Sequence, residues 1–199
     1  MMGNSEKEKV LKLIRNALLE KGECPYPNLD MDYDVYHPIN DDPVMVFAEQ
    51  VVLGNGKFIY CTNEDELINK LKTLIDYRNW TNNISYGQKL VDYFNANGLH
   101  TNLAKEDGHD VGFALCHAIA ARTGSIIITS NQSMGSDLKK FPPIFIIIAF
   151  TSQITIDIKD SINGMSSNMP EWVTIIKPNN LLEEEIKELY IFVVEDMIK

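Results

Sequence analysis

The sequence predicts a three-layer α/β protein in which a mostly parallel sheet is flanked by helices. Several apolar runs lack polar alternation, as expected of strands buried on both faces, and Ile144–Phe150 is the longest of them. Segments with helical periodicity alternate with these runs along most of the chain. This order is typical of βαβ units, whose strands are parallel.

The composition fits one soluble domain and disfavours two kinds of partner. The chain has 199 residues, 45% of them hydrophobic and 23% charged, which is enough for a substantial core. Its net charge of −10 disfavours binding to nucleic acid and to acidic membrane surfaces, since both need a basic face. The longest apolar run is too short to cross a bilayer. We therefore expect neither a nucleic acid nor a membrane as partner.

The cysteines favour a reducing compartment. Cys24, Cys61 and Cys116 are few, odd in number and far apart, which argues against a disulfide framework. No Cys-x-x-Cys pair occurs, so we expect neither a zinc ribbon nor an iron–sulfur cluster bound by this chain alone. The N-terminal residues lack the apolar segment of a signal peptide. We expect a cytoplasmic protein without a metal or cofactor of its own.

The N-terminal residues predict a helix followed by an extended arm. Apolar side chains at helical spacing indicate an amphipathic helix over Ser5–Lys21. Prolines, polar residues and three tyrosines follow in Glu23–Asp42, without a clear period. This arm would pack against the body of the protein or against a second subunit. The expected division is residues 1–41 for helix and arm, and residues 42–199 for the α/β domain.

Regular alternation begins at Asp42. Asp42 and Pro43 are a helix cap and a first-turn proline, and they open a helix that runs to about Leu53. Thr62 is expected to cap the next helix, with Asp65 three residues later. The predicted elements of this part are strand Lys57–Cys61, helix Asn63–Asp76, strand Ile84–Tyr86 and helix Gln88–Ala96.

The segment Val111–Ser130 (VGFALCHAIAARTGSIIITS) is the most distinctive part of the chain. Its alanines predict a helix over Asp110–Arg122 that packs closely on a sheet. Gly124 would allow the sharp turn into a buried strand, Ser125–Thr129.

The second half continues the alternation of strands and helices. Apolar runs predict three strands, and Ile154–Ile158 fits either a strand or the start of a helix. The predicted strands are Pro143–Phe150, Trp172–Ile176 and Leu189–Val194, and the predicted helices are Asp157–Met165 and Leu181–Ile186.

Three polar loops follow predicted strands and form the candidate site. In open α/β sheets, ligands bind beyond the carboxyl ends of the strands. The loops are Asn131–Phe141, Thr151–Gln153 and Lys177–Asn180. We expect a small anion or a nucleotide-like ligand there, although each segment also reads as an ordinary turn or solvated loop. The candidate binding residues are Thr123, Gly124, Ser125, Asn131 and Gln132, with Asn179 or Asn180 opposite.

Other groups of polar residues give weaker indications of a catalytic or metal site. Cys116 and His117 are neighbours on the predicted helix and point about 100° apart, so they do not form a nucleophile pair. His109, with Asp107 and Asp110, resembles a metal cluster only in composition. If the protein is an enzyme, a carboxylate or a lysine in the pocket must act as its acid or base, and the candidate residues belong to no recognised motif. They are Glu49, Glu106, Asp137 and Lys139.

The sequence resembles the LUD domain family (DUF162), of the lactate utilisation protein C type. The resemblance rests on the segment GKFIYCTNEDEL, the Thr123-Gly124 turn, the Pro142-Pro143 strand and the closing strand. It implies the fold shared by phosphosugar isomerases and CoA transferases. It also implies an accessory or small-anion-binding role in lactate or organic-acid utilisation, beside iron–sulfur partner proteins. The alternatives are a transferase or isomerase of that fold, and an interaction module that forms a homodimer.

The chain departs from the family at its polar positions. Arg122 stands where members usually have an acid before Thr-Gly, and His117 stands in place of an aspartate. Lys139 and Lys140 replace an arginine and a serine. The His-Gly-Pro motif before the last strand is absent. These differences predict a partly eroded family site.

Overall fold

The computed structural model describes residues 4–19, 38–104, 110–133, 141–165, 169–180 and 186–196. The chain divides into two compact units, residues 1–38 and residues 39–199. The first unit contains helix α1 (Asn4–Leu19), and four of its apolar side chains are at least half exposed. They are Val10, Leu11, Leu13 and Ile14. Within the described residues, no helix is long and apolar enough to span a membrane.

The second unit contains five helices and ten strands among its described residues. The helices are α2 (Pro43–Leu53), α3 (Glu64–Arg78), α4 (Gln88–Ala96), α5 (Ser130–Ser133) and α6 (Ile158–Asn163). The strands are β1 (Lys57–Cys61), β2 (Asn83–Ser85), β3 (Asn102–Leu103), β4 (Val111–Leu115), β5 (Ala118–Ala120), β6 (Ser125–Thr129), β7 (Ile144–Phe150), β8 (Ile154–Thr155), β9 (Val173–Ile176) and β10 (Glu188–Val194).

The main sheet is parallel throughout, which confirms the predicted fold class. Its six strands lie in the order β1-β10-β7-β4-β2-β3. The central strands β7 and β10 are almost wholly buried, because side chains cover both of their faces. The uninterrupted apolar runs of the sequence therefore belong to the middle of the sheet.

One face of the main sheet is covered by α3 and α4. Their apolar side chains, such as Leu71 and Phe94, pack on alternate residues of the central strands, such as Ile146 and Phe192. Phe94 and Phe113 meet edge to face, with ring centroids 5.2 Å apart.

The opposite face is covered by α2 and by a second sheet rather than by helices alone. This sheet has the order β8-β5-β6-β9, and β6 is antiparallel to both of its neighbours. Phe47 and Val51 of α2 and Ile126 and Ile128 of β6 pack on this side. Helix α6 covers part of the outer face of the second sheet, where Ile158 and Met165 contact Ala118, Ala120 and Ile127.

The predicted helix over Asp110–Arg122 is wrong. The segment forms strand β4 in the main sheet, then strand β5 in the second sheet, and then a 3-10 turn, Ala121–Thr123. Small residues suit close packing between layers as well as a helix, and here Ala114 of β4 lies in one buried cluster with Ile126 and Ile128 of the second sheet. A Cβ on Gly112 would lie 2.5 Å from Cγ of Pro142.

The predicted position of the Thr123–Ser125 corner is also wrong. It closes an antiparallel hairpin between β5 and β6 and does not lie at the carboxyl edge of the parallel sheet. Gly124 has a φ of +62°, and a Cβ there would lie 2.9 Å from Cβ of Gln50 in α2. The corner therefore faces α2 directly.

The helix starts are confirmed at α2 and shifted by one residue at α3. Asp42 accepts a hydrogen bond from the amide of Val44 at 2.8 Å, as expected of a cap. At α3 the cap is Asn63 rather than Thr62, and its side chain accepts from the amide of Glu66. Glu66, not Asp65, reaches back to the amide of Thr62.

The other elements agree with expectation except in detail. The short strand β3 was not predicted, and strand β2 begins one residue before the predicted Ile84. The ambiguous stretch Ile154–Ile158 holds strand β8 and the first residue of α6, so each reading was right in part. Residues 20–37, which include most of the predicted arm Glu23–Asp42, and most of the predicted helix Leu181–Ile186 lie outside the described residues.

Candidate functional site

A crevice opens at the carboxyl edge of the main sheet, between α3 and α4. Its volume is about 210 Å³. It lies beyond the last residues of β4 and β7, which is where parallel α/β sheets bind ligands. The lining residues are Glu64, Leu67, Lys89, Leu90, Tyr93, Leu115, Ile148 and Phe150.

The floor of the crevice is apolar. Leu115 ends β4, and Ile148 and Phe150 lie at the end of β7 with their side chains on the helix face of the sheet. Leu67 and Leu90, from the first turns of α3 and α4, are buried beside them. The hydrocarbon part of a ligand would lose water on this surface, which favours binding.

One wall of the crevice carries a positive charge. Helix α4 begins after Gly87, whose φ of +110° turns the chain sharply out of β2, and no side chain caps this helix. A helix N-terminus is electropositive, and Lys89 lies in its first turn. Among the described residues, the exposed ammonium group of Lys89 has neither a hydrogen bond nor an ion pair. This wall therefore suits an anionic group.

On the opposite wall, a carboxylate of α3 accepts a hydrogen bond across the crevice from a phenol of α4. The Tyr93 hydroxyl donates to Oε2 of Glu64 across 2.8 Å. Partial burial, together with this carboxylate, raises the pKa of Tyr93, so the phenol stays protonated. The second oxygen of Glu64 can accept a hydrogen bond from a ligand hydroxyl.

A second polar cluster at the same edge is structural. Oδ2 of Asp196 accepts from the Ser152 amide at 2.6 Å and from the Thr151 hydroxyl at 3.2 Å. Partial burial opposes ionisation of Asp196, but these hydrogen bonds outweigh it and lower its pKa. The cluster ties the chain after β10 to the chain after β7.

The first turn after β7 also binds the end of β4. Gln153 donates to the carbonyl of Cys116 at 2.9 Å and accepts from the amide of Phe150 at 2.8 Å. Burial raises the pKa of the Cys116 thiol to about 12, so this thiol is not a nucleophile. His117 follows it in the connection to β5, where its amide donates to the Ile127 carbonyl.

A larger groove of about 430 Å³ runs along α3 and the edge strand β1. Its lining is mostly apolar, and its one cation, Lys70, already pairs with Glu66 at 2.7 Å and donates to the Tyr60 carbonyl. It therefore lacks the unpaired charge that the carboxyl-edge crevice offers.

The structure divides the predicted binding residues between the two ends of the second sheet. Thr123, Gly124 and Ser125 lie at the start of β6, whereas Asn131 and Gln132 follow its end, roughly 14 Å away at the rise of an extended strand. Among the described parts of the three predicted loops, only Thr151–Gln153 lies at the carboxyl edge of the parallel sheet. The shared crevice expected from these residues is not formed.

Each end makes its own internal contacts. The Thr123 and Ser125 hydroxyls are hydrogen-bonded to each other at 2.7 Å, and Ser125 is fully buried. The Gln132 side chain accepts from the Thr129 amide, and Asn131 is exposed. The Thr123, Ser125 and Gln132 side chains are therefore already hydrogen-bonded, and a ligand-binding role for the predicted residues stays a prediction.

Asn179 lies on the same side as the Thr123 corner. It is exposed, and its backbone approaches the end of α2 so closely that a Cβ on Gly54 would lie 2.7 Å from its amide nitrogen. Asn180, its predicted companion, follows in the same 3-10 turn.

The other candidates are dispersed. Glu49 is exposed on α2, and the Asp110 carboxylate accepts from the Asn82 amide. Glu106, Asp107, His109, Asp137, Lys139 and Lys140 lie outside the described residues. Among the residues described, no three His, Cys, Asp or Glu side chains are grouped as metal ligands would be.

Arg122, which precedes the Thr123–Ser125 corner, takes part in an ion pair. Its Nε donates to Oδ1 of Asp157 across 2.6 Å, and this joins the β5–β6 corner to the start of α6. Arg122 therefore supports the packing of the second sheet.

Sequence reasoning missed Glu64, Lys89 and Tyr93. The signal was present, since both helices start directly after predicted strands, and Gly87 marks a tight strand-to-helix turn. The sequence does not distinguish β6 from a strand of the parallel sheet, so it predicts the site beside β6 instead.

No protein-family model matches this sequence, and no curated protein matches it. A solved structure does match: a DUF162 family protein from Deinococcus radiodurans, with a TM-score of 0.64. The chain has the DUF162 fold. The match covers 76% of this chain and 96% of the other at 14% identity. DUF162 is the LUD domain, so the resemblance seen in the sequence predicted the fold correctly.

Proposed function

We propose that this protein is a cytoplasmic, LUD-type accessory protein that binds a small organic acid in the carboxyl-edge crevice. The observation that carries this is the Lys89 ammonium of α4 at the mouth of an apolar cavity, where it has no ion pair or hydrogen bond among the described residues and faces Glu64 on α3. A carboxylate would pair with Lys89, and the hydrocarbon part would cover Leu115 and Phe150. A hydroxyl would donate to Glu64.

The fold supports a place in lactate or organic-acid utilisation. Some members of the family that the sequence resembles act beside iron–sulfur partners, and this chain would bind the acid while such partners carry the electrons. The two described cysteines, Cys61 and Cys116, are free and buried, which accords with a reducing compartment. The Thr123–Ser125 corner with Asn179, and the Asn131–Gln132 end, are the other places where an anion would be sought.

Thermal-shift titration tests the proposal. Lactate, propionate, longer 2-hydroxy acids, CoA esters and phosphosugars would be titrated against the full chain. A ligand at about 100 times its Kd adds about 2.7 kcal/mol to the free energy of unfolding. We expect stabilisation by one of the organic acids.

Variants locate the binding site. Lys89→Ala should weaken binding about tenfold, since it removes one charge-assisted contact worth about 1.4 kcal/mol. Lys159→Ala, an exposed lysine on α6, is the matched control. If Asn179→Ala or Asn131→Ala weakens binding and Lys89→Ala does not, the crevice is not the site. Failure of every acid to stabilise the chain would refute the function.

A further inference from the structure

Strand β9 is an edge strand with an unusual surface. It pairs with β6 on one side, and in the described residues no strand pairs with its other side. Val173 and Ile175 point away from the core and are 43% and 42% exposed. No charged residue or proline lies within Val173–Ile176, although edge strands usually carry such residues to prevent association.

The backbone of β9 offers hydrogen-bonding groups to a partner. The Ser130 amide donates to the Trp172 carbonyl, so Trp172 and the residues at every second position face β6. The amides and carbonyls of Val173 and Ile175 therefore point to the free edge.

The charges at the two ends of β9 are complementary to each other. Glu171 precedes the strand and Lys177 follows it, and neither forms an ion pair among the described residues. In an antiparallel pair of two copies centred on Thr174, Glu171 of each copy lies opposite Lys177 of the other. Val173 then lies opposite Ile175.

Two further conditions select the same register. If the two copies are related by a two-fold axis perpendicular to the sheet, their outer faces form one continuous surface. Odd-numbered residues of β9 face outward, so each must lie opposite an odd-numbered residue of the other copy. Because the outward backbone groups belong to odd residues, the pairs of Val173 with Ile175 exchange four ladder hydrogen bonds. Shifting the strands by two residues keeps this alternation but separates Glu171 from Lys177.

We propose that β9 is the dimer interface of this protein, and that a second copy of the chain extends the second sheet through an antiparallel β9–β9 pair. The local segment is neutral, so two copies of an acidic chain can approach there. The exposed Val173 and Ile175 side chains would be covered by their cross-strand partners.

Charge reversal tests the interface in the full chain. By sedimentation equilibrium, Glu171→Lys and Lys177→Glu should each weaken the dimer about tenfold or more, because each places like charges opposite each other twice. An equal mixture of the two variants should form heterodimers, and the double variant should recover the wild-type dimer. Glu49→Lys and Lys187→Glu, both exposed and far from β9, are the matched controls.

A cross-link tests the register independently of charge. With Cys24→Ser as background, Thr174→Cys should form an intermolecular disulfide on mild oxidation, because residue 174 lies opposite itself on the axis, about 4.5 Å away between Cα atoms. Val173→Cys, which lies opposite Ile175, should cross-link poorly.

A chain that stays monomeric at all concentrations, or a dimer that neither charge reversal weakens, would overturn the proposal. Equal cross-linking at positions 173 and 174 would overturn this register.

Discussion

The Arg122 guanidinium and the Asp157 carboxylate form a two-contact ion pair, with Nε–Oδ1 at 2.6 Å and the second nitrogen–oxygen distance at 3.4 Å. The two side chains are only 20% and 35% exposed. The pair joins the corner of the β5–β6 hairpin to the residue that precedes α6, so it holds the second sheet against its covering helix.

Loss of this pair should destabilise the protein moderately. Arg122→Ala is expected to cost about 1–2 kcal/mol, since a charge-assisted hydrogen bond between partly buried groups is removed. Chemical denaturation measures the change. Arg78→Ala, which removes a guanidinium that is 36% exposed and leaves Glu188 paired with Lys57, should cost less. Equal costs would show that burial does not strengthen the Arg122 pair.

Glu188 predicts a specific dependence of stability on pH. It accepts hydrogen bonds from Lys57 and Arg78 at the amino edge of the sheet, and from the Tyr190 hydroxyl at 2.9 Å. Partial burial favours the protonated acid, but the hydrogen bond from Lys57 leads a set of contacts that lower the pKa of Glu188 below its usual 4.5.

The lowered pKa of Glu188 determines how stability changes with pH. A carboxyl with a lowered folded-state pKa stabilises the fold above its unfolded pKa, and this contribution is lost as pH falls through the folded value. The Tm of wild type should therefore drop more steeply below pH 4.5 than that of Glu188→Gln, which should be less stable near neutral pH. Identical Tm profiles for the two proteins below that pH would contradict the prediction.

The left-handed turn at Gly124 should not tolerate a side chain. Gly124→Ala would adopt a φ of +62° at a cost of roughly 1–2 kcal/mol, and its Cβ would press on Gln50. Gly164→Ala is a matched control, because its φ is −65° and its nearest neighbour would be 3.6 Å away. Thermal unfolding of both variants should show a clear loss only for Gly124→Ala.

The ring pair between α4 and β4 should dominate the helix-face core. Phe113 is fully buried against Phe94, so Phe113→Ala is expected to cost about 3–5 kcal/mol through lost contacts and a residual cavity. Tyr77→Ala removes a ring that is 81% exposed and should have little effect. Urea unfolding distinguishes the two, and a small loss for Phe113→Ala would show that the core relaxes around the cavity.

Glu64 should select for a hydroxyl on the bound acid. Wild type is expected to bind a 2-hydroxy acid more tightly than its deoxy analogue, and Glu64→Gln should reduce this preference about fivefold to tenfold, equivalent to about 1–1.4 kcal/mol. Isothermal titration with lactate and propionate measures the ratio, and Asp65→Asn, an exposed neighbour, is the control. An unchanged ratio would remove Glu64 from the site.

The central strands and most helices could be predicted because their signals are local. Ile144–Phe150 is apolar at every position, which few structures other than a doubly covered strand require. Asp42 and Pro43 determine a helix start through their own side chains. The helix predicted over β4 and β5 was wrong because inward and outward residues of these strands are all apolar, so the sequence shows no period-two alternation. Phe113 points to the helix face and Ala114 to the second sheet, yet both count as apolar.

The candidate site was less predictable, since it depends on which strands share an edge. Glu64 and Tyr93 are 29 positions apart in the chain and meet only because α3 and α4 lie side by side on the parallel sheet. Thr123 and Asn131 are close in sequence, and the extended strand between them places them at opposite ends of the second sheet.

By itself, the sequence determined the α/β class, the buried parallel strands and most helix boundaries, because burial and helix capping depend on residues that are close together in the chain. It also indicated the family whose fold the chain has. The tertiary structure alone decided that an alanine-rich stretch is two strands, and that the crevice lies between α3 and α4. It also decided that β9 pairs on one side only with a described strand. The physical reason is that strand pairing and packing are contacts between distant residues, whose partners a local pattern does not specify.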